Sequence, residues 1–217
     1  MNNASLCQLA KVRAGIYRLF SQLFYLPDDS KLSPAFITQL EEVLLGVGLQ
    51  ANGLAERVLV SAADDFAVNV KVDFVKLFHR PDHALLPPYE CLYRGEKQVM
   101  GESTMAVVRF YRDAGLELDQ CYADLPDHMS AELSFLAFLC DMEAKEREQH
   151  SGGVKHCLEL QRRFYSEHLG AWLKSFCDAT IRNAQTTYYR ELPALLHEWC
   201  ALDQVLIKEL LIEKAAI

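Results

Sequence analysis

No apolar run in this chain of 217 residues reaches the roughly 18 that a membrane-spanning helix needs, because charged residues interrupt every one. The N-terminus also lacks the basic start and small-residue cleavage site of a signal peptide, so the chain is expected to fold in water and stay in the cytoplasm. Cysteine pairs are missing too. The seven cysteines, at Cys7, Cys91, Cys121, Cys140, Cys157, Cys177 and Cys200, are odd in number, widely scattered and free of any C-x-x-C spacing. That excludes a sequence-local zinc or redox motif and suggests reduced, mostly buried thiols. No Gly-rich phosphate loop, nucleophile elbow or His-Glu-x-x-His signature is present, which removes the commonest nucleotide, hydrolase and metalloprotease chemistries. Positive charge is in deficit: 22 basic against 30 acidic residues give a net charge of -8, with no basic cluster. A phosphate backbone would be repelled, so nucleic acid is excluded and a basic partner favoured.

What remains is a chain that is 51% hydrophobic, enough for a sizeable core, with helical periodicity almost throughout. Leu6, Leu9, Ile16, Leu19, Phe20, Leu23 and Phe24 recur at spacings of three and four and predict a first helix. Ser33 and Pro34 supply an N-cap and first-turn proline for a helix to about Leu45, which Gly46 and Gly48 end. Leu54 to Phe78 is read as a third helical stretch. Phe66, Val68, Val70, Val72 and Phe74 alternate as in a strand, but no second strand candidate exists to pair with them. From Arg80 to Gly101 helical periodicity lapses, and Pro81, Pro87 and Pro88 predict a long irregular connection. Further helices are expected over Glu102–Ala114, Pro126–Glu148, Val154–Asn183 with Gly170 as a kink, and Glu191–Lys214. The expectation is therefore all-α: one bundle-like domain over residues 1–217, with a hinge near 149–153 at Ser151, Gly152 and Gly153.

Two constellations could carry function. Asp124-Leu125-Pro126-Asp127-His128 leads into an apolar run, and reads as a helix start with proline in the first turn and an aspartate as cap. His128 and Glu132 stand one helical turn apart, so they could also share a metal or a proton. Two ligands are too few to specify zinc, and His79 and His83 are separated by the helix-breaking Pro81. The second constellation sets Asp73, Phe74, Leu77 and Phe78 before Pro87, Pro88, Tyr89, Glu90 and Tyr93. These are either ordinary core or a groove for a peptide bearing apolar and arginine residues.

Asp73-Phe74-Val75-Lys76-Leu77-Phe78, the Pro87-Pro88-Tyr89-Glu90 loop, the helix between Gly101 and Gly115, and Leu125-Pro126-Asp127-His128 with Glu132-Leu133 together resemble the TorD/DmsD/NarJ chaperone family. The resemblance spans roughly residues 10 to 145. It implies a cytoplasmic chaperone, not an enzyme and without a cofactor of its own. Such a chaperone binds the twin-arginine leader and the apo catalytic subunit of a molybdenum-cofactor oxidoreductase and assists cofactor insertion before export or membrane assembly. The family's binding positions would fall on Phe74, Leu77, Phe78, Pro88, Tyr89, Pro126, Asp127 and His128; Glu90 and Glu132 are added on chemistry alone, as acceptors for guanidinium groups. Many relatives carry tryptophan where Phe74 and Tyr89 stand here. A helical structural subunit with no leader client, and a metal-dependent enzyme using His128, Glu132 and Asp127, are the competing readings. The chain would be a monomer or, by exchange at the glycine hinge, a swapped dimer.

Overall fold

The computed structural model describes residues 2–60, 66–79, 85–97, 99–117 and 124–215, of which 59, 60 and 213–215 by backbone alone. Helices dominate: α1 (Asn3–Gln22), α2 (Pro34–Gly46), α3 (Leu54–Val60), α4 (Phe66–Phe78), α5 (Glu90–Tyr93), α6 (Glu102–Asp113), α7 (Met129–Glu148), α8 (Val154–Phe164), a π-helical turn (Tyr165–Leu169), α9 (Gly170–Asn183) and α10 (Thr187–Ala215). Among the described residues the β structure is confined to one isolated bridge, between Tyr89 and His128. The chain forms two compact units. Unit 1 contains 1–24, 89–172 and 202–217; unit 2 contains 25–88 and 173–201.

In unit 1, α7 is the central element, buried around most of its circumference, as expected of a helix enclosed by others. α1 packs along it through Cys7, Ala10 and Ala144, small residues that let the two backbones approach. The buried seam of α1 thus runs through Cys7, Ala10, Ala14, Tyr17 and Phe20, while Leu6, Leu9 and Leu19 lie only half-buried on its flanks. Val154 and Leu158 of α8 join Ile207 and Leu210 of α10 in a second apolar cluster. Phe110, Tyr111, Phe135 and Phe164 form an aromatic core with centroids 4.3 to 6.0 Å apart.

One polar cluster is enclosed in this unit. Arg13 donates to Asp203 at 2.5 Å, to Glu143 at 2.7 Å and to Gln161 at 2.5 Å. Arg147 donates to Glu143, and Tyr17 to Asp203, each at 2.7 Å. Two guanidinium groups thus face two carboxylates, tying α1, α7, α8 and α10 together with their charges balanced. Removing one partner from such a group leaves an uncompensated buried charge.

In unit 2, Ser33 caps α2 by accepting from the Phe36 N–H, with Pro34 in the first turn, and Gly48 takes the left-handed conformation after the helix at φ +86°. α4 is helical, so the strand-like alternation of Phe66 to Phe74 is overridden by its helical face: Val70, Phe74, Leu77 and Phe78 are buried. The helical stretch expected over Leu54–Phe78 is found as two helices, its middle at 61–65 lying outside the described residues. Asp73 accepts from the backbone N–H groups of Gln185 and Thr186 and from the Thr186 hydroxyl, pinning the connection before α10.

Candidate functional site

The ten candidate residues divide between the units. Phe74, Leu77, Phe78 and Pro88 belong to unit 2; Tyr89, Glu90, Pro126, Asp127, His128 and Glu132 belong to unit 1. In unit 2, Phe74 and Phe78 pack edge to face at 5.5 Å, Phe78 stacks on Phe176 and meets Tyr189, and Phe74 stacks on His79. The Leu77 carbonyl accepts from the Leu86 N–H. All four candidates there are buried. Beside them α4 turns an apolar stripe outward. Val68, Val72 and Val75, one helical turn apart, are 58%, 46% and 38% exposed. With Leu26, Lys71 and Lys76 they line an open cavity of about 600 Å³.

In unit 1 the Asp124–His128 segment corrects the expectation of a helix beginning at Pro126. α7 begins at Met129, and its cap is His128, whose ring nitrogen Nδ1 accepts from the Ser130 N–H at 3.1 Å. Accepting at Nδ1 places the ring proton on Nε2, which lies 3.7 Å from Asp124. Burial lowers the His128 pKa against the pull of Asp124 and Asp127, and favours this neutral form. Neither aspartate caps α7. Asp127 works across the fold: its carbonyl accepts from the Glu90 N–H at 2.9 Å and its carboxylate from the Cys91 N–H at 3.0 Å. These are donors of the first turn of α5, so a residue 36 positions away supplies the cap that Tyr89 does not. Asp124 accepts from the Tyr89 hydroxyl at 3.1 Å, and the Pro126 carbonyl from the Tyr111 hydroxyl at 2.9 Å. Tyr89 and His128 meet edge to face at 5.2 Å. The segment is a staple that joins α5, α6 and the head of α7.

α5 also corrects the expectation that Arg80–Gly101 is wholly irregular; residues 80–84 and 98 lie outside the described set. Its purpose in the site is to hold Glu90, which has no exposed surface. Oε1 of Glu90 accepts from Arg94 Nε at 2.5 Å and Oε2 from His168 Nδ1 at 3.1 Å. Glu132, equally buried, accepts from the Trp172 indole N–H at 3.1 Å through Oε2. Its Oε1 is enclosed with no protein donor. Burial, with the Glu90 carboxylate beside it, raises the Glu132 pKa well above the ordinary carboxylate range. The proton so retained gives this buried carboxyl a donor of its own, while the Trp172 indole donates to Oε2.

His168 and Trp172 were not singled out by sequence reasoning. They flank Gly170, where the helix from Val154 does change register, through a π turn. A Cβ at Gly170 would lie 2.7 Å from the Tyr165 carbonyl oxygen, so only glycine fits the widened turn. Arg94 was equally unremarked, although its i,i+4 spacing from Glu90 was readable. His128 and Glu132 are turned to separate partners, and among the described residues no group of three or more His, Cys, Asp or Glu is placed to hold a metal.

The chain is 26% identical over 202 residues to the chaperone protein TorD of Vibrio parahaemolyticus, covering 88% of this chain and 92% of that protein. The chlorate reductase assembly chaperone protein of Ideonella dechloratans is 30% identical over 102 residues, 47% of this chain and 50% of that one. A crystal structure from Archaeoglobus fulgidus, described as a candidate redox enzyme maturation protein, shares the fold with a TM-score of 0.53 at 20% identity, covering 87% of this chain and 93% of that one. The family model described as nitrate reductase delta subunit matches residues 40–178. The chain therefore belongs to the nitrate reductase delta subunit family, the TorD/NarJ type of redox-enzyme chaperone.

Proposed function

We propose that this protein is a maturation chaperone for a molybdenum-containing oxidoreductase. It acts in the cytoplasm by binding rather than by turnover, and carries no molybdenum of its own. Its clients are the twin-arginine leader and the cofactor-free catalytic subunit, which it holds until the cofactor is inserted. Family membership over most of the chain carries this reading, together with relatives named as a TorD chaperone and a chlorate reductase assembly chaperone. No described helix is long and apolar enough to cross a membrane.

The physical support is the outward apolar stripe of α4 in unit 2, a surface suited to a polypeptide rather than to a small polar substrate. A leader presents two arginines followed by an apolar stretch, so it asks for carboxylates and an apolar surface on one protein. The buried positions Phe74, Leu77, Phe78 and Pro88 would support the apolar surface from beneath. Pro126, Asp127 and His128, with the half-buried Tyr89, would hold α5 and its Glu90 in place, with Glu132 behind. Calorimetric titration with twin-arginine leader peptides, beside versions carrying glutamine at both arginines, tests the reading. Saturable, arginine-dependent binding is expected; absence of binding to every leader would remove the leader as a client.

A further inference from the structure

Glu90 lies at the floor of an open cavity of about 400 Å³ within unit 1. His168 lines the same cavity, Glu96, Glu102 and Glu167 stand around it, and Arg109 is the second cation at its edge. A carboxylate with no exposed area inside such a cavity requires a permanent countercharge. That countercharge is Arg94, and its attachment is light. It follows a single helical turn, its side chain is 36% exposed, and it bonds Glu90 through Nε alone while Nη2 donates to the Glu167 carbonyl. One guanidinium already bridges a buried carboxylate and a backbone carbonyl. A second guanidinium, arriving from solvent, would find the same two acceptors as Arg94 swings out. Exchange leaves Glu90 compensated at every stage, whereas a neutral side chain could not displace Arg94 without stranding the buried charge. A lysine ammonium carries the charge but lacks the fork that spans both acceptors.

We propose that this cavity is a seat for an arginine side chain of a bound polypeptide, and that Arg94 occupies it in the unliganded protein as an internal stand-in. The identity of the polypeptide as a twin-arginine leader rests on the proposed function; the seat itself does not. The His168 ring takes Oε2 of Glu90 and leaves Oε1 to Arg94, with the Glu132 carboxyl beside them.

The test is an Arg94→Met protein, with Arg94→Lys as a second variant should the first fold poorly. The probe is an acetylated, amidated arginine-arginine dipeptide, with citrulline and lysine dipeptides as controls, followed by calorimetry and thermal melting. Removing the competing charge-assisted bond is expected to tighten binding of the arginine probe by about tenfold over the wild type and to raise the variant's melting temperature selectively. Equal binding of arginine and citrulline probes to the variant, or no binding of either, would overturn the proposal. A wild-type protein that binds a leader while the variant shows no arginine preference would sink the seat and leave the leader reading standing. An arginine probe that binds the variant, with no leader bound by either protein, would do the reverse.

Discussion

Replacing Glu132 with glutamine should stabilise the protein, increasingly so as pH rises. Burial, the Glu90 carboxylate and Asp127 together hold the Glu132 carboxyl protonated well above its ordinary value of 4.5, against the indole bond that favours ionisation. The unfolded chain releases this proton near that ordinary value; the folded chain keeps it. Between the two pKa values the unfolded state binds fewer protons, so stability falls as pH rises, by about 1.4 kcal/mol per pH unit for one fully retained proton. Glutamine keeps the shape and the indole bond: its carbonyl can accept from Trp172, and its amide supplies a donor where the acid proton stood. It has no proton to retain. The difference in unfolding free energy between Glu132→Gln and wild type should therefore be small below about pH 4.5 and grow by about 1.4 kcal/mol per unit above it, until the wild-type pair ionises. Urea unfolding followed by circular dichroism, at intervals between about pH 5 and pH 8, measures this directly. Parallel stability profiles for the two proteins would refute a retained proton, and a variant less stable at every pH would refute the neutral-acid geometry.

Removing the acceptor for the buried Cys91 N–H by Asp127→Ala should cost about 1–3 kcal/mol, read from chemical denaturation. A leader-binding defect in that variant must therefore be judged beside its stability, and a variant as stable as wild type would contradict the role of Asp127 in capping α5. Asp203→Ala strands Arg13 among the buried groups of α1, α7 and α8 and should cost about 3–5 kcal/mol, whereas Lys11→Ala, at an exposed pair with Glu148, should change stability little. Equal effects from the two would show that the Arg13 cluster is not tightly enclosed.

The all-helical fold was legible wherever local signals acted alone. Ser33 and Pro34 start α2 as their chemistry dictates, Gly115 ends α6 at φ +82°, and the buried face Val70, Phe74, Leu77 and Phe78 outweighs the alternation of the same segment. Gly170 was legible as an interruption, but the π turn depends on the closeness of the Tyr165 carbonyl, which spacing does not encode. In the candidate site the residues were legible but their partners were not. Asp127 has the sequence setting of a helix cap and the structural task of capping another helix, because His128 takes the near position first. Glu90 and Glu132 were named on chemistry alone, and the partners that hold them, His168 in the π turn and Trp172 at the start of α9, lie 78 and 40 residues away. The apolar spacing of α1 says nothing of Arg13; only Glu143, Gln161 and Asp203 gathered around it reveal a buried ionic core.

The central claim is tested most directly by calorimetry of the full-length wild-type protein against the twin-arginine leaders of its own organism's molybdoenzymes, each paired with a double arginine-to-glutamine version. Saturable binding to one leader, lost in its glutamine counterpart, is the predicted result. Binding indifferent to the arginines, or no binding to any leader, would contradict it.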